Sequence, residues 1–122
     1  MKSMDQIRAE EAWNMVKGTN KEYANLAKAA PALIMDNGLM QTLAFFENKK
    51  GAATNLGEHI RTWVWKKLNP EKRFENVKFE EFMGWLIEKD SDCYMQATEE
   101  ALEVLRWIRQ FASAVTTTDK NE

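Results

Sequence analysis

The chain has 122 residues, 44% of them hydrophobic and 30% charged, with a formal net charge of −2, which leaves room for one domain and excludes a disordered chain. Its longest apolar runs, residues 32–35 and 43–46, are far too short to cross a bilayer, and an acidic residue in Met1-Lys2-Ser3-Met4-Asp5 stands where a secretion signal has its apolar core. One cysteine, Cys93, and one histidine, His59, exclude an internal disulfide, most metal-ligand clusters and the usual nucleophile triads. The expectation is a cytoplasmic protein with no metal, no cofactor, no small-molecule substrate and no membrane contact, and not an enzyme.

Few glycines and prolines interrupt the chain, and Ala, Leu, Met, Glu and Lys dominate. The expected fold is therefore all-α, a compact single-domain helical bundle of about six helices over residues 1–115, with a disordered tail over 116–122. A first helix is predicted over about 4–17, where Ala9, Ala12, Trp13 and Val16 share a face. Gly18-Thr19-Asn20 ends it and caps a second, whose face is Tyr23, Leu26, Ala27 and Ala30. Pro31 has no amide hydrogen, which predicts a break or kink there and a short helix over 32–36. Asn37-Gly38 reads as a left-handed junction, since glycine accepts positive φ at no steric cost. The next helix, over 39–47, turns Leu39, Leu43 and Phe46 inward.

Residues 48–55 read as a surface loop. A helix over about 56–68 carries Leu56, Ile60, Trp63 and Val64 on its core side and stops at Asn69-Pro70. Residues 71–78 are a polar connector anchored by Phe74 and Val77. Phe79, Phe82, Met83 and Leu86 stripe a fifth helix. Ser91 or Asp92 caps the last and longest, predicted to reach about Ala114 on a seam of Ala101, Leu105, Ile108, Ala112 and Val115.

Charge is unevenly spread: residues 51–78 hold six basic groups against three acidic ones, and residues 79–122 hold four against ten. A sequence pI near 5.6 argues against strong independent nucleic-acid binding. The adjacent carboxylates Glu10-Glu11, Glu80-Glu81 and Glu99-Glu100 diverge by about 100° on a helix and read as solvated surface. His59, one residue before the Ile60 core face, reads as a boundary or surface residue, and Cys93 as an inert thiol. Trp65 falls on the polar side of its helix beside Arg61 and Thr62, and Trp107 falls opposite Leu105. Both are candidate protein-interface anchors, because a large aromatic on a wet face buries much area at low rotamer cost.

Pro31-Ala32-Leu33-Ile34, Asn37-Gly38-Leu39, Gln41 and Leu43-Ala44-Phe45 resemble the signature stretch of the Cmr small subunit family, the small α-helical subunit of type III-B CRISPR RNA-guided effector complexes. Tyr94, Ala101-Leu102, Leu105, Trp107-Ile108 and Phe111-Ala112 are similar to that family's last helix, and Tyr23, Leu26 and Ala27 agree upstream. The resemblance implies a non-catalytic ribonucleoprotein subunit in antiviral defence. It would stack with copies of itself along the guide RNA–target RNA duplex, alongside other subunits of the complex, and contribute RNA backbone contacts. Candidate RNA-binding residues are then Lys17 and Lys21 at the first junction, Lys49 and Lys50 in the following loop, Arg61 on the next helix, and Arg106 and Arg109 three apart on the last. The alternative is a generic helical adaptor that binds only proteins. A helix-turn-helix regulator built on Asn37-Gly38 is disfavoured, because residues 40–46 carry no Arg or Lys to read base edges.

Overall fold

A computed structural model describes residues 1–71 and 76–120, with side chains as far as Thr116. Among these residues the chain forms α1 (Met4–Val16), α2 (Lys21–Asn37), α3 (Leu39–Lys49), α4 (Ala52–Leu68), α5 (Phe79–Ile87) and α6 (Ser91–Lys120), an all-α bundle. Local chemistry explains the starts. Ser3 and Gln6 exchange side-chain and backbone hydrogen bonds in a capping box ahead of α1, and Asn20 accepts the Tyr23 amide ahead of α2. The start of α6 is held by Asp90, whose carboxylate accepts the Cys93 amide at 2.9 Å, rather than by Ser91 or Asp92.

The long helix α6 is the axis of the bundle, with α1, α2 and α4 packed around it. Ala97, Ala101, Val104, Leu105, Ile108 and Ala112 are buried along it, so the predicted seam forms, with Val115 only half-buried. Arg8 meets Glu100 and Trp13 meets Phe111, which sets α1 parallel to α6. The helix continues to Lys120, beyond the predicted end near Ala114. Of the predicted tail, residues 121–122 lie outside the described residues, as does Phe74 in the connector.

Two predicted boundaries are corrected. Pro31 does not end a helix: α2 runs through it to Asn37. The helical path keeps Ala27, Ala30 and Ile34 on one buried face, and that packing outweighs the roughly 3 kcal/mol that an interior proline costs. The loop before α4 is shorter than predicted. Lys50 and Gly51, at φ 68° and 64°, turn the chain sharply enough for α4 to start at Ala52. Gly38 does take the predicted positive φ, 90°, with an extended ψ of 159°. The space where a Cβ would project lies 3.3 Å from the Tyr94 hydroxyl, which accepts the Met40 amide at 3.2 Å.

Candidate functional site

The α1–α2 turn, the start of α2 and the first half of α4 surround a surface cleft of about 330 Å³, lined by Met15, Lys17, Gly18, Thr19, Asn20, Tyr23, Ala52, Asn55 and His59. At its floor the buried Tyr23 hydroxyl lies 2.7 Å from His59 Nδ1, with the two rings edge to face. Burial, aided by the positive charge of Arg61, pushes His59 down to about 4, and burial pushes the Tyr23 phenol well above its ordinary range. Both groups are uncharged at neutral pH. Thr19 donates its hydroxyl hydrogen to the Val16 carbonyl at 2.6 Å, and Asn20 spends its side-chain oxygen on the Tyr23 amide.

Four of the predicted cations lie in, or next in sequence to, the segments that line this cleft. Lys17 lines it, Lys21 follows the lining residue Asn20, and Lys49 and Lys50 immediately precede Gly51 and the lining residue Ala52. All four are exposed.

Arg61 is corrected: it is a buried structural residue, 7% exposed, and not a surface cation. Its Nε donates to the Val77 carbonyl at 2.8 Å, and Nη1 lies 3.5 Å from a Glu47 oxygen. It fastens the connector before α5 onto α4. Trp65 is likewise corrected from the wet face to the core. It is 6% exposed and meets Trp85 edge-on at 5.2 Å between ring centres, because α5 packs across the side of α4 that the pattern leaves open.

Arg106 is exposed and paired with Glu103 at 3.2 Å. It lines a separate cleft of about 230 Å³ with Trp107, Arg109 and Gln110. Trp107 and Arg109 are half-buried, and their Nε1 and Nε atoms have no hydrogen-bond partner among the described residues. Trp107 stacks on Phe111 at 5.8 Å, and Phe111 meets Trp13, itself 46% exposed, at 5.3 Å.

His59 takes the boundary position of the two expected for it, half-buried, with Tyr23 as a partner that the sequence does not show. Sequence reasoning missed one inward-turning polar group. Glu100 is not solvated: it receives Arg8 at 2.9 and 3.3 Å and the Trp63 indole N–H at 2.9 Å, with only 14% of its side chain exposed. Burial opposes the charge on Glu100, but the hydrogen bonds from Arg8 and Trp63 outweigh it and hold the carboxyl below its usual range. Among the described residues, no three metal-ligating side chains gather, and no helix is long and apolar enough to cross a membrane.

Residues 4–115 match the family described as CRISPR-associated protein (Cas_Cmr5).

Proposed function

The chain belongs to the Cas_Cmr5 family of CRISPR-associated proteins, and on that premise we propose that it is a non-catalytic small subunit of a type III-B effector complex, acting in the cytoplasm in antiviral defence. In this reading it stacks with copies of itself beside the guide RNA–target RNA duplex and touches the RNA backbone. The observation that supports the RNA contact is Lys17 in the wall of the cleft, with Lys21, Lys49 and Lys50, all exposed, in the chain segments that run into its lining. Exposed cations of this kind suit phosphates, which attract charge without regard to base. The overall acidity keeps a lone copy's affinity low, and assembly compensates by engaging many weak contacts at once. The Trp107–Phe111–Trp13 ladder, ending in an exposed indole, supports a protein contact at the α1–α6 side.

The test is Lys→Gln substitution of Lys17, Lys21, Lys49 and Lys50 together, in the assembled complex, with target RNA affinity measured against salt. Each lost phosphate contact lowers the logarithmic slope by about 0.7–0.9. Arg61 is left intact, because its replacement would damage the fold. An unchanged slope would favour the protein-only adaptor.

A further inference from the structure

We propose that the cleft at the α1–α2 turn seats the ribose of one nucleotide of the bound RNA, with His59 reading the sugar's 2′-hydroxyl. This inference rests on the RNA reading above and deepens it by naming what the cleft recognises.

The chemistry of the lining selects a neutral hydroxyl over a phosphate. The floor holds Tyr23, His59 and Thr19, and Asn20 and Asn55 stand exposed at the mouth. All can donate or accept hydrogen bonds, and none is charged at neutral pH. Among the described residues no carboxylate lines the cleft, and the one lining cation, Lys17, is exposed. That arrangement leaves phosphate to the rim and a sugar to the interior.

The tautomer of His59 follows from its partner. The Tyr23 phenol is 1% exposed and finds no other acceptor among the described residues, so its O–H donates to His59 Nδ1. In the neutral ring the hydrogen then sits on Nε2, the nitrogen that Tyr23 does not occupy. A fixed imidazole N–H in a polar cleft is a donor for one oxygen. Base recognition fits less well. Among the described residues the aromatic rings lining the cleft are Tyr23, which is buried, and His59, which is half-buried and packs edge to face with it, a poor platform for stacking. The volume of about 330 Å³ holds a sugar-sized group. A 2′-hydroxyl is what distinguishes RNA from DNA at a given nucleotide, so a cleft of this kind confers preference for ribose.

The experiment uses the assembled complex and target RNA oligonucleotides carrying single 2′-deoxy substitutions at successive positions. Wild-type complex is expected to lose affinity by about fivefold at the positions that meet the cleft, as one neutral hydrogen bond is worth. His59→Leu should bind the all-ribose target more weakly and treat those positions alike. His59→Gln, which keeps an amide donor, should restore part of the discrimination. Asn55→Ala, at an exposed position, should reduce it without touching the fold. If His59→Leu and Asn55→Ala complexes both keep the wild-type penalty for each deoxy position, the ribose assignment is overturned. The four-lysine variant separates this from failure of the broader reading. A lowered salt slope in the lysine variant, together with unaltered 2′-deoxy penalties in His59→Leu and Asn55→Ala, sinks the ribose cleft alone, whereas an unchanged slope in the lysine variant sinks the RNA contact itself.

Discussion

Two polar clusters lie one turn apart on α4, and the fold completes only one of them. At Trp63 the indole N–H and the Arg8 guanidinium converge on Glu100, so α1, α4 and α6 are tied by three hydrogen bonds to one carboxylate. At His59 a single bond to Tyr23 ties α4 to α2, and the other ring nitrogen takes no part in it. The first cluster spends its polar capacity on structure. The second keeps part of it at the edge of a cleft, next to cations. Satisfied buried polar groups specify a fold, and unsatisfied ones at a surface cleft are what a ligand can use.

The contrast predicts unequal mutational costs. Glu100→Ala should be the most damaging, by about 3 kcal/mol, because it strands the Trp63 N–H and leaves the mostly buried Arg8 guanidinium with only Asp5, at 3.4 Å, as a partner. Urea unfolding at neutral pH measures this directly. A cost near that of an exposed ion pair would show that the cluster is not closed.

Acid should act first at the open cluster. His59 titrates near 4 in the folded chain against an ordinary 6.5, so on acidification the unfolded chain takes up the proton first. Stability is then full above about pH 6.5 and falls as pH drops towards 4, by up to about 3 kcal/mol. Glu100, held below its ordinary 4.5, contributes stability that is lost only at still lower pH. Unfolding free energy measured across pH 7 to 4, in wild type and in His59→Gln, checks the assignment. The variant should flatten this window, and an equal slope in both proteins would remove His59 from the account.

The helices and most of their buried faces were legible because each follows a single period. Gly38 was legible for a local reason, since Asn-Gly after a helical run calls for positive φ. The misreadings cluster on α4 because that helix is buried on nearly every side from Ile60 to Trp65. A 3.6-residue period reveals one apolar face, so a helix covered twice shows its second face as polar, and Trp65 read as wet. Arg61 was illegible for a different reason: its acceptor is the backbone carbonyl of Val77, which no side chain advertises. Lys17 and Lys21 could be read as neighbours across a short turn. That Lys17 shares a cleft with the start of α4 depends on helix packing, and so does the Tyr23–His59 pair, separated by 36 positions. The cations of the candidate site were in view from the sequence, and its neutral floor was not.

Tyr23→Phe should have the smallest effect, and its size decides how far the comparison between the clusters holds. The substitution keeps the ring that fills the core and removes only the oxygen bonded to His59 Nδ1. A single neutral hydrogen bond contributes about 1 kcal/mol net, and His59 is only half-buried, so its ring can turn to regain a partner in water. The expected loss is therefore about 1 kcal/mol, well short of the cost of Glu100→Ala. Freed from the phenol, the imidazole no longer has its hydrogen fixed on Nε2, so the variant should lose discrimination at the cleft while losing little stability. Equilibrium unfolding and 2′-deoxy discrimination, measured on the same variant, give the two halves of the answer. A cost as large as that of Glu100→Ala would mean that the Tyr23–His59 pair is a structural tie of the same kind, and that the fold completes both clusters alike.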